Sequence, residues 1–95
     1  MIDLHVHSTA SDGSFTPEEI LSLARQAGLK VFSLTDHDTI DGVKTLLQRP
    51  FPSSMQMIPG VEISCSPPQG FECLGSIHLL GYGISVYDPP LNAML

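Results

Sequence analysis

The chain has 95 residues, 42% of them hydrophobic, enough apolar surface for one small core and too much for a disordered segment. Ten acidic residues against four basic ones leave a formal charge of −6, which excludes a broad basic surface for gripping phosphate backbones. No run approaches the roughly 20 apolar residues of a membrane span, and Met1-Ile2-Asp3-Leu4-His5 lacks the basic start of a secretory signal. The expectation is a cytoplasmic protein with no membrane partner, in which Cys65 and Cys73 stay reduced.

Ile2-Asp3-Leu4-His5-Val6-His7 alternates with period two, a strand with Ile2, Leu4 and Val6 on one face and Asp3, His5 and His7 on the other. The imidazoles then stand about 7 Å apart at Cα, a spacing from which both reach one cation. Taken alone, the same spacing belongs more often to an ordinary half-exposed strand. Ser8 to Ser14, rich in small and turn-forming residues, is a loop leaving the strand's C-terminal end. Asp12 in that loop has two readings: a turn former bonded to nearby amides, or a carboxylate ligand.

Thr16-Pro17-Glu18-Glu19 carries a helix start, with threonine as N-cap, proline at the first helical position and a glutamate placed to close a capping box. Ile20, Leu23, Ala24 and Ala27 follow at helical spacing, and Gly28 sits where a left-handed C-terminal residue is wanted. Lys30 to Thr35 is the second strand. Asp36-His37-Asp38 comes straight after it, a costly place for charge unless a metal or a hydrogen-bond network compensates. His37 is the best ligand of the three; Asp36 is suited to orienting a neighbouring histidine, and Asp38 or Thr39 to capping the next helix.

That second helix carries Ile40, Val43, Leu46 and Leu47 and must stop before Pro50. Met55 to Ile58 is a third strand, bent at Pro59-Gly60 before Val61-Glu62-Ile63. Glu62 is either an outward strand residue or a buried carboxylate that needs a metal or a partner. Pro67 to Gly70 is a loop. Ser76 to Tyr82 is a fourth strand carrying His78, a ligand candidate or a lone core histidine, and the segment after Asp88 starts another helix at a proline turn. Alternating strands and helices mean α/β with parallel βαβ units, and polar motifs at the ends of several strands favour a barrel over an open sheet. A barrel of about 250 residues would make this chain roughly its first third.

Four segments stand in order: His5-Val6-His7-Ser8 running to Ser11-Asp12-Gly13, Thr35-Asp36-His37-Asp38, Pro59-Gly60-Val61-Glu62-Ile63-Ser64, and His78-Leu79-Leu80-Gly81-Tyr82. In these the chain resembles the polymerase and histidinol phosphatase (PHP) family of metal-dependent phosphoesterases. The resemblance implies a distorted (β/α)7 TIM-like barrel, with residues 1–95 as the N-terminal portion of the PHP domain and the later strands absent. It implies two or three divalent ions (Mn, Fe, Zn or Mg), with His5 and His7 on the first metal, Asp12 and His37 on a second, Glu62 bridging, and His78 at the third position. The remaining family ligands belong to later strands.

The activity so implied is hydrolysis of a phosphomonoester, or of the terminal phosphodiester of a nucleotide or short nucleic acid. Water activated by metal attacks, and no protein nucleophile is needed. The fourth segment is more similar to stand-alone phosphatases acting on nucleoside bisphosphates or RNA ends than to histidinol-phosphate phosphatases. Rival readings are a non-catalytic PHP module attached to a DNA polymerase, which the retained ligand set opposes, and a barrel amidohydrolase, which the Thr-Asp-His-Asp and Gly-Val-Glu segments fit poorly.

Overall fold

The computed structural model describes residues 1–51, 53–66, 69–70 and 77–95. In chain order these form β1 (Ile2–Val6), α1 (Pro17–Gln26), β2 (Val31–Leu34), α2 (Asp41–Leu47), β3 (Gln56–Met57), β4 (Gly60–Cys65), β5 (Ile77–Tyr82) and α3 (Pro89–Met94). No helix among the described residues is long and apolar enough to cross a membrane.

Helix α1 begins and ends as its sequence dictates. The Thr16 hydroxyl accepts from the Glu19 N–H, and the Glu19 carboxylate accepts from the Thr16 N–H, so two orphan donors of the first turn are satisfied reciprocally. At the other end Gly28 has φ +74°, its N–H donates to the Arg25 carbonyl, and the Leu29 N–H donates to the Ala24 carbonyl. That pair of bonds is a Schellman motif, and it turns the chain back into β2. Thr16→Ala is expected to cost about 1 kcal/mol of stability; urea unfolding with an unchanged midpoint would contradict the capping assignment.

β1, β2 and β3 make a parallel sheet in that order. β2 is buried on both faces, with Phe32, Ser33, Leu34, Thr35 and Asp36 all fully inaccessible, as a central parallel strand requires. Ile20 and Ala24 of α1 join Phe32 and Leu34, Val43 and Leu46 of α2, Met57 and Val61 in one core. β1 departs from its expected burial. Ile2 and Leu4 are exposed and only Val6 packs against the core, because β1 pairs on one side only among the described residues. Three steps along β1, from Asp3 to Val6, match two along β2, from Phe32 to Leu34, so a bulge at Leu4-His5 lies beside the site.

The chain from β3 into β4 keeps one register against β2 and its continuation: Val31 faces Gln56, Phe32 faces Met57, and His37 faces Glu62. Pro59-Gly60 bends the run without slipping it. Gly60 is needed there, since a Cβ would lie 2.4 Å from Ser33 Oγ and 2.8 Å from Thr35 Cγ2. The parallel pairing expected of the strand–helix–strand units holds for β1, β2 and β3, whereas β5 lies antiparallel against β4, Glu62 opposite Leu80 and Ser64 opposite His78. The short span between these strands leaves no room for the crossover helix that a parallel pair requires. α3 starts as expected, with Asp88 accepting from the Leu91 N–H. Ser76, at the expected start of the fourth strand, lies outside the described residues, as do Pro67, Pro68 and Cys73, so the expected thiol pair is described only at half-buried Cys65.

Candidate metal centre

Four backbone segments deliver the site. β1 and the residue just after it supply His5 and His7, the loop that follows Asp12, the segment after β2 His37, and the antiparallel β4–β5 pair Glu62 and His78. Glu62 is tied into place by its own backbone, its N–H donating to the Asp36 carbonyl and its carbonyl accepting from the Asp38 N–H. Alternation along β4 sends Val61 into the core, and Glu62 faces the histidines with only 7% of its surface exposed. The outward-facing reading of Glu62 is thereby excluded.

Both carboxylate oxygens of Glu62 are engaged. Oε1 lies 2.7 Å from His5 Nε2 and 3.0 Å from His7 Nε2, and these two nitrogens are 3.1 Å apart. Oε2 lies 3.2 Å from His78 Nδ1 and 3.5 Å from His37 Nδ1. Asp12 joins from the loop, with Oδ1 2.7 Å from His7 Nδ1 and Oδ2 3.2 Å from His37 Nε2. The rings stack in sequence, His7 and His37 edge to face with centroids 4.4 Å apart. All six ligand candidates read from the sequence therefore converge. They form three overlapping triads: His5, His7 and Glu62; His7, Asp12 and His37; His37, Glu62 and His78.

The donor set fits divalent cations on two grounds. Ligand atoms about 2.1 Å from a shared ion stand roughly 3.0 to 3.4 Å apart, close to the 2.7, 3.0 and 3.1 Å edges of the first triad. His7 and His37 also face a carboxylate with each ring nitrogen. A neutral imidazole has one N–H and one lone pair, so one nitrogen of each ring aims a lone pair at an anion unless the ring is protonated or a cation lies between them.

Burial pushes the Glu62 carboxyl up, but the His5 hydrogen bond and the charges of His37, His5 and His7 outweigh it, and the net displacement is downward. Asp12 is held low chiefly by its hydrogen bond from His7, and Asp38 by hydrogen bonds from Ser64, the backbone N–H foremost. Folded values below the unfolded ones, about 4, mean that these groups stabilise the fold above that range and that the contribution is lost as pH falls through the folded values. The metal-free protein is expected to keep its thermal midpoint above about pH 5 and to lose it steadily toward about pH 3. A midpoint flat across that interval would show that the carboxylates are not held as described.

Two neighbours of His37 behave differently from expectation. Asp36 touches no imidazole: Oδ1 accepts from the Ser8 N–H at 2.6 Å and the Ser11 hydroxyl at 2.9 Å, and Oδ2 from the Ser8 hydroxyl at 2.6 Å. Asp38 does not cap α2. It sits at φ +54° and its Oδ1 accepts from the Ser64 N–H at 2.8 Å, because the chain must turn there to meet β4; Thr39 Oγ1 instead accepts from the Asp41 N–H. Ser8, Ser11 and Tyr82, whose hydroxyl donates to the Leu4 carbonyl beside His5, escaped the sequence reading. Of these only the Ser-x-x-Ser spacing in a polar loop offered a signal.

The family model for the PHP domain matches residues 3–85. The chain belongs to the PHP domain family. It is 38% identical over 92 residues to a phosphoribosyl 1,2-cyclic phosphate 1,2-diphosphodiesterase of Eggerthella lenta, covering 97% of this chain and 34% of that protein. It is 39% identical over 93 residues to a 5'-3' exoribonuclease of Haemophilus influenzae, covering 98% and 32%. Among solved structures, an amidohydrolase from Chromobacterium violaceum, with bound SO4 and no metal, superposes with a TM-score of 0.83 at 34% identity, covering 97% of this chain and 31% of that one. The chain thus spans about a third of the length of the curated relatives it matches.

Proposed function

We propose that the protein carrying this chain is a metal-dependent hydrolase of phosphoric esters, cleaving phosphomonoesters or the terminal phosphodiesters of nucleotides or short nucleic acids. The observation that carries the reading is the position of Glu62, one carboxylate whose two oxygens each serve a separate pair of histidines. A carboxylate so placed suits two neighbouring cations, drawn from Mn, Fe, Zn or Mg, and the Asp12 triad offers a further position that draws on the same His7 and His37 rings. When bound, such cations lower the pKa of an attacking water and offset charge on the phosphoryl oxygens. The chain's own part is to place the ligands: Glu62 spans the two histidine pairs, and Asp12 ties His7 to His37. No hydrogen bond or ion pair links a lysine or arginine to the cluster among the described residues, which leaves the phosphate charge to the ions. The names of the two relatives, both enzymes of phosphodiester cleavage, support the same class. The rest of a (β/α)7 barrel, supplied by later strands, belongs to this proposal.

The test is made on the full-length protein loaded with Mn, measuring phosphate release from nucleoside bisphosphates, cyclic phosphates and 5'-phosphorylated oligonucleotides beside ammonia release from amides. Turnover of phosphoesters is the expected result. Turnover of amides alone would replace the assignment with an amidohydrolase, and metal binding without turnover of either would replace it with a non-catalytic module of the kind attached to DNA polymerases.

A further inference from the structure

Asp36 is the one fully buried carboxylate among the described residues, and none of its hydrogen bonds goes to a candidate ligand. Its three hydrogen bonds all reach into the loop after β1, from the Ser8 N–H, the Ser8 hydroxyl and the Ser11 hydroxyl. Within that loop the Ala10 N–H donates to Ser8 Oγ, and the Ser11 and Gly13 N–H groups both donate to the Ser8 carbonyl. Ser8, itself fully buried, is therefore the hub of the loop, and Asp36 is what the hub is fastened to. Two ligand candidates flank the fastened stretch, His7 immediately before Ser8 and Asp12 immediately after Ser11. A third, His37, follows Asp36 directly.

The space around Asp36 is shaped for this role. A Cβ on Gly42 would lie 2.8 Å from Asp36 Oδ2 and 3.1 Å from Ser8 Oγ, so the first turn of α2 closes over the clamp only because residue 42 has no side chain. Hydrogen bonds to an ionised acceptor are the short, strong kind, and three of them in a water-excluded position resist loop motion more than exposed turn bonds would. We infer that Asp36 is a positioning residue that sets the affinity of the His7, Asp12 and His37 triad for a cation by clamping the Ser8–Ser11 turn. Asp12 needs such help. Its side chain is 66% exposed, and without the clamp the loop would carry it through many positions from which it does not meet His7 and His37 together.

The inference rests on reading the cluster as a cation site, and the experiment separates the two. Mn2+ binding to the full-length protein is measured by calorimetry and by the EPR spectrum of the bound ion, for wild type, Asp36→Asn, Ser11→Ala and Ser11→Thr. The expected result is that Asp36→Asn and Ser11→Ala weaken one equivalent of Mn2+ by about 10- to 100-fold and change its spectrum, while Ser11→Thr, which keeps the hydroxyl, binds like wild type. Folded Asp36→Asn and Ser11→Ala with wild-type affinity and spectrum would overturn the inference, as would a loss in Ser11→Ala that Ser11→Thr shares. If Asp36→Asn fails to fold, the Ser11 pair decides alone. Wild-type protein that binds no Mn2+ would overturn the cation site itself, and this inference with it.

Discussion

Glu62→Ala in the full-length protein is expected to reduce phosphoester turnover by at least about 10³-fold and to lower the content of tightly bound metal. Two triads share this carboxylate, one through each oxygen, so a single truncation dismantles both. The next residue on the same face of β4, Ser64, carries no carboxylate to replace it. Glu62→Gln keeps the shape and one acceptor oxygen but loses the charge, so the expectation is a variant that folds normally and still loses metal. Elemental analysis alongside turnover checks both. Full metal content with activity within tenfold of wild type would remove Glu62 from the centre.

Gly13→Ala is expected to lower turnover by about 10²-fold through displacement of Asp12, with a stability loss of about 1 to 3 kcal/mol. An added Cβ would lie 2.2 Å from the His7 carbonyl oxygen, 2.6 Å from the His7 carbonyl carbon and 2.8 Å from the Ser8 nitrogen. All three are backbone atoms of the strand end that carries a ligand, so no rotamer change relieves the clash and the loop must open. Gly28→Ala is the matched control. Nothing lies within 4 Å of a Cβ there, and the cost is only that of φ +74°, about 1 kcal/mol of stability with turnover unchanged. Equal turnover in the two variants would mean that the Gly13 turn does not govern Asp12.

Where a signal is local, the sequence carried it. The capping box at Thr16, the left-handed Gly28 and the period of Ile20, Leu23 and Ala24 need only residues a few positions apart, and α1 came out within a residue or two of its expected bounds. The two imidazoles of β1 share a side as alternation requires, even across a bulge that alternation does not foresee. The antiparallel β4–β5 pair was legible only through length, since two apolar runs state no direction but the short span between them excludes the crossover a parallel pair needs. Asp36 was misplaced for a local reason. A carboxylate beside a histidine in sequence points to the opposite side of an extended chain, so it met Ser8 and Ser11 rather than the His37 ring.

By itself, the sequence determined the helices, the strands and the six side chains capable of holding metal, because propensity, capping and donor chemistry are properties of residues and their near neighbours. Only the tertiary structure decided that Glu62 stands at the centre with one oxygen toward His5 and His7 and the other toward His37 and His78. That arrangement depends on the register that sets Glu62 beside His37 and on the antiparallel pairing that returns His78 to it. Register between segments distant in the chain is settled by packing of the shared core, where burying Phe32, Leu34 and Val61 together permits one alignment and excludes the rest.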